Sequence, residues 1–205
     1  MPDNSLVPIS DEQAKLGQEA LKVLRGLGSF VEKVLGSVPE DLIGYLGGDW
    51  LHVRRAENLV NMMRRAKGRL AAWGVKSPTR PSLSVTLPLF RGAADEDREE
   101  LQDLWSRLLA AAMDPSRTDR VRVRFFEVLK TLDPLDARVL ACLPGRGGGV
   151  NQGQRNEMAN ELSISRDEVD VSLENLVKVE LASDPHGSLI ALTALGRELL
   201  RAVAD

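Results

Sequence analysis

Residues 87–115 run LPLFRGAADEDREELQDLWSRLLAAAMDP, and they divide into three parts. The first ends at Phe90 and belongs to a segment with prolines at 78, 81 and 88, which predicts extended chain rather than helix. In it Ser82-Leu83-Ser84-Val85-Thr86-Leu87 alternates polar and apolar, as an edge strand or an extended strap over helices would. An acidic turn follows. Asp95 is the expected N-cap, and Glu96, Asp97, Glu99 and Glu100 suit the positive end of a helix dipole. The third part carries Leu101, Leu104, Trp105, Leu108, Leu109 and Ala112 at helical spacing, a broad apolar stripe that Asp114-Pro115 brings to an end. This helix is expected to be the centre of a bundle.

Working towards the N-terminus, residues 50–73 predict a long helix with Leu51, Ala56, Leu59, Met63, Ala66, Leu70 and Trp73 on its core face, ended by Gly74. Its other faces hold Arg54, Arg55, Arg64, Arg65, Lys67 and Arg69 against the single acid Glu57. Such a face can hold phosphate or an acidic partner through charge. It can equally pair within the chain with the acidic run at 95–100, and that pairing is the reading adopted. Further upstream, Ser10-Asp11-Glu12-Gln13 forms a capping box for a helix bearing Leu16, Ala20, Val23, Leu27, Phe30 and Val34, and residues 1–9 read as a disordered lead. Six glycines between 26 and 48 predict joints between short helices. A helix at about 120–132 with Val121, Phe125, Val128, Leu129 and Leu132 inward completes the bundle.

Composition agrees with a helical protein. The chain has 205 residues, 43% apolar and 28% charged, but only 4% aromatic, so its core rests on Leu, Val and Ala. The net charge of −3 is uneven: residues 133–205 hold 12 acids and 7 bases, a net of −5, and residues 1–132 hold 18 acids and 20 bases, a net of +2. Cys142 is the only cysteine, which excludes an intramolecular disulfide and a Cys-based zinc site. No signal peptide and no membrane-length apolar run is visible, so a cytoplasmic protein is expected.

The order of these features resembles the abortive infection alpha family. The residues that carry the likeness are RAENL at 55–59, LSVTLPLF at 83–90, the acidic turn, LWSRLLA at 104–110 and FFEVLKTLDPLD at 125–136. The likeness covers about residues 20–140 and rests on order and spacing. It implies a phage-defence setting in bacteria and carries over no catalytic residue.

The C-terminal part has its own pattern. A helix at 136–143 ends at Pro144, and a Gly-rich loop follows at 145–149. Next come a helix at 152–162, a capping box of Ser165 and Glu168, and a helix running to Val179. Segments 179–183 and 188–192 flank the turn-forming tetrad Asp184-Pro185-His186-Gly187, as a hairpin would, and Thr193 caps a final helix. This order resembles a winged helix-turn-helix, and IALTALGRELL at 190–200 is similar to the wing-to-helix exit of bacterial winged-helix regulators. The helix in the recognition position carries Asp167, Glu168, Asp170 and Glu174 against Arg166 and Lys178, a net of −2. That charge disfavours approach to DNA phosphates. Arg166, Asp167, Asp170, Glu174 and Lys178 are therefore taken as a protein-interaction face.

Chemistry is not encoded in any pattern. The two histidines, His52 and His186, lie in different expected domains, so no hydrolytic triad or three-ligand zinc site is supported. The glycine loop lacks the Lys and hydroxyl of a phosphate-binding loop, and the acidic cluster is explained as capping. The sequence thus predicts a mainly α protein, with a helical bundle and extended strap at 10–132 and a winged-helix domain with a small β-hairpin at 133–205. It predicts no enzyme activity, no cofactor and no metal. The expected partner is a protein or a second copy of the chain. Two rival readings are a winged-helix regulator binding DNA, helped by the basic helix, and a membrane-active effector built on residues 26–48.

Overall fold

The structure, a computed structural model, describes residues 29–35, 51–146, 149–185, 187 and 189–205. The expected lead at 1–9, the capping box at 10–13 and most of the glycine-jointed segment lie outside the described residues.

Helix α1 is Ser29–Leu35, with Phe30 and Val34 buried. Helix α2, Leu51–Ala72, buries Ala56, Leu59, Met63, Ala66 and Leu70, as its spacing predicts, and Gly74 leaves it at φ +72°. The segment read as an extended strap is instead helix α3, Leu83–Ala94, with Pro88 inside it. Pro81 falls before the helix, and Pro88 removes only one ladder hydrogen bond. Against that loss, the helix buries Thr86, Leu89, Phe90, Ala93 and Ala94, whose steps of three and four are a helical period. The strand-like alternation at 82–87 was the weaker signal.

Helix α4, Glu99–Met113, begins four residues later than Asp95. Asp95 is the C-cap residue of α3 rather than the N-cap of α4. The stripe of α4 is buried as expected at Leu101, Trp105, Leu108, Leu109 and Ala112, with Leu104 half-buried. Trp105 stacks on Phe126 with ring centroids 6.0 Å apart. Gly92 permits this, because a Cβ there would stand 2.3 Å from the Trp105 ring. The helix expected at 120–132 is shorter: a 3₁₀ turn at Thr118–Arg120 leads into extended Arg122 and then α5, Val123–Leu129.

Helix α6, Pro134–Cys142, starts with proline at its first turn, and Asp136 accepts the Asp133 N–H at 2.8 Å. Helices α7, Gln152–Leu162, and α8, Arg166–Lys178, are joined by a turn with Ser163 at φ +56°, and each begins with a complete capping box. Strands β1, Ala182–Ser183, and β2, Ala191–Leu192, pair antiparallel, shorter than the segments expected from sequence, and Val150 forms a separate bridge with Ile190. Gly149, at φ +140°, allows that approach: a Cβ there would lie 2.8 Å from the Ile190 carbonyl. Thr193 caps α9, Ala194–Val203, by accepting the Gly196 N–H. The buried apolar residues form one cluster from Phe30 to Val203. Helix α4 lies at its centre, packed on α2, α3, α6 and α9.

Candidate functional site

The basic residues of α2 meet carboxylates on the turn before α4 and on α4 itself. Arg54 lies 3.5 Å from Asp97, Arg55 2.6 Å from Asp95, and Arg65 3.3 Å from Glu99 and 3.9 Å from Asp103. Arg69 bonds Asp103 and lies 3.6 Å from Asp205. Arg64 donates to Asn61 Oδ1 at 3.1 Å. Four of the five arginines singled out as phosphate or acidic-partner contacts are therefore paired inside the chain. A phosphate would have to displace carboxylates that the fold already supplies.

This ladder continues to the end of α9. Arg107 bonds Asp103 at 2.6 Å, Asp205 at 2.9 Å and the Val203 carbonyl at 3.0 Å. Burial alone would lower the Arg107 pKa, but hydrogen bonds to Asp103 and Asp205 outweigh it and raise the value. Arg117, whose guanidinium sits 4.0 Å over Trp73, donates to the Ala204 carbonyl at 2.7 Å. On the other side, Arg98 grips buried Glu96 through Nε at 2.8 Å and Nη2 at 2.9 Å, and reaches Asp133 at 2.8 Å and the Leu132 carbonyl at 3.3 Å. Its pKa is raised, chiefly by the hydrogen bond to Glu96. The sequence did not single out Arg98, Arg107 or Arg117, because beside near neighbours such as Glu96 and Asp103 they also reach partners 34 to 98 positions away in the chain.

The five residues read as an interaction face of α8 separate into two sets. Arg166 turns back on α7, bonding Asp170 at 2.9 Å, Asn156 at 2.8 Å and the Gln152 carbonyl at 3.2 Å. Asp170 is held between Arg166 and Arg155, the latter at 3.1 Å. These two residues fasten α7 to α8. Asp167, Glu174 and Lys178 point outward, with Val171 among them at 66% exposure. Positions 167, 171, 174 and 178 form one stripe along a helix. None of its three charged residues makes an ion pair among the described residues.

Among the described residues no group of three His, Cys, Asp or Glu side chains could hold a metal ion. Cys142 is half-buried, and burial, reinforced by Glu161, pushes its thiol up and away from the reactive thiolate. Two clefts of about 470 and 490 Å³ flank α9. Their shared wall is Pro144, Leu200 and Ala204, and their linings are mainly apolar. No helix among the described residues is long and apolar enough to cross a membrane.

No curated protein matches the chain, and no solved structure does. The family model described as abortive infection alpha matches residues 54–189, which takes in α2 to α8 and β1 and reaches well past residue 140. With about two thirds of its length inside that match, the chain belongs to the abortive infection alpha family.

Proposed function

We propose that this protein serves phage defence by contacting another protein through the outer face of α8, without chemistry of its own. Family membership supports the defence setting. The observation that carries the contact is the outward stripe Asp167, Val171, Glu174 and Lys178, where a large aliphatic side chain stands 66% exposed among charges that make no ion pair among the described residues. An exposed apolar residue within a charged rim is the usual anatomy of a protein contact.

In this reading residues 133–205 are a winged helix. The order α6, Val150 bridge, α7, α8, β1, β2, α9 supports that assignment. The recognition position then presents two carboxylates and one ammonium, which is poor complementarity for DNA phosphates. The experiment is a Val171→Asp variant assayed for protection of cells against phage, beside a mobility-shift assay of the native protein on mixed duplex DNA at low salt. The expected result is lost protection with unchanged folding, and no DNA shift. Salt-sensitive DNA binding abolished by Lys178→Glu would overturn the reading in favour of a DNA-binding regulator.

A further inference from the structure

We propose that the outer face of α8 pairs with the same face of a second copy of this chain, antiparallel and about a two-fold axis. The proposal rests on the reading of α8 as a protein contact and names the partner. A uniformly acidic stripe would suit any basic protein, but this stripe changes sign along its length. Asp167 stands at its N-terminal end, Val171 and Glu174 follow, and Lys178 closes it. A two-fold rotation sets Asp167 of each copy opposite Lys178 of the other, about 17 Å from its own Lys178 at 1.5 Å per residue. The exposed Val171 side chains then fall near the axis, against the aliphatic stems of Glu174. Antiparallel packing also opposes the two helix dipoles.

The basic end extends beyond the helix. Glu180 is bridged to Arg124 at 3.1 Å, and Asn175 donates to the Thr131 carbonyl at 3.5 Å, so the α5 region adjoins the C-terminal end of α8. Beside Arg124 in the chain are Arg120, Arg122 and Val123, all exposed, with Val123 at 46%. Neither Arg120 nor Arg122 makes an ion pair among the described residues. At the acidic end, Glu168 is tied to Ser165 and Asp170 to Arg155 and Arg166, which leaves Asp167 for the partner's Lys178. A face with a carboxylate at one end, cations at the other, and Val171 and Glu174 between sets its opposite ends together under a two-fold, the defining property of an isologous interface.

The test is light scattering on the full chain at low and high salt, with charge reversals. The native protein is expected at twice the 22.5 kDa chain mass at low salt, dissociating as salt rises. Asp167→Lys and Lys178→Asp, each alone, weaken association by about tenfold or more through like-charge contact. Mixed one to one, the two variants restore both pairs and the doubled mass, a rescue that misfolded chains cannot give. Native protein at single-chain mass, or a mixture that stays at single-chain mass, overturns the pairing. In that event, loss of phage protection in Val171→Asp would still leave the protein-contact reading standing.

Discussion

Helices α2 and α8 both carry charged outer faces, yet the fold treats them in opposite ways. Four of the five arginines of α2 face a turn and a helix that supply Asp95, Asp97, Glu99 and Asp103, so their charge is used up in holding α2 against α4. Among the described residues nothing packs on the stripe of α8, and its one strongly exposed apolar residue sits among charges that make no ion pair there. In sequence the basic run on α2 is the louder signal. In the proposed reading the quieter α8 is the better site, because its charges find no intramolecular partner among the described residues.

Substitutions can break this contrast. Trp105, fully buried behind the α2–α4 seam, should cost about 3–5 kcal/mol on change to alanine, read by urea unfolding. Val171→Ala should change stability by less than about 0.5 kcal/mol. A large loss at Val171 would mean that its face is already covered, and the contrast would fail. Next in size is Arg98→Ala, which leaves the 6%-exposed Glu96 without its main partner. About 1–3 kcal/mol is expected, discounted because Arg98 is itself partly exposed. Arg54→Ala should cost less than about 1 kcal/mol, since Arg54 and Asp97 are both more than half exposed. If Arg54 proved as costly as Arg98, the exposed part of the ladder would be doing more than surface pairing.

The elements with a single consistent period were legible. The core stripes of α2 and α4, the Ser165–Glu168 capping box of α8, the Thr193 cap and the pairing of basic helix with acidic run all follow from local spacing and charge. Residues 82–94 were misread because two signals overlapped. A polar-apolar alternation at 82–87 and a proline at 88 argued for extended chain, while the 86, 89, 90, 93 period argued for helix, and burial against the core favoured the second. Asp95 looked like an N-cap because an acidic residue before an apolar stripe usually is one; the turn needed three more residues to bring Arg98 onto Glu96 and Asp133. Of the α8 face, composition was legible but direction was not. That Arg166 and Asp170 turn inward depends on Arg155, Asn156 and Gln152, which only the packing of α7 places beside them.

The smallest effect concerns how firmly α8 presents its stripe. Glu168 accepts the Ser165 backbone N–H at 2.8 Å and the Ser165 hydroxyl at 2.8 Å, in the turn that also carries Asp167. These bonds, the backbone one first, hold the Glu168 carboxyl below the usual glutamate range. Its folded pKa is therefore lower than its unfolded one. The cap's contribution is fully present above the unfolded value of about 4.3 and is lost as pH falls through the folded value. Titration of the Glu168 carboxyl by NMR should show the depressed midpoint in the native chain. Ser165→Ala removes the hydroxyl bond and the cap, and should move the midpoint back up while loosening the first turn of α8. An unchanged midpoint in that variant would mean that the Ser165 backbone N–H alone depresses it. Paired with an unloosened first turn, it would mean that the Arg166 contacts to α7 hold the turn without the hydroxyl. The stripe would then owe its fixed direction to packing against α7, as α2 owes its own to α4, and the two helices would differ only in what lies opposite them.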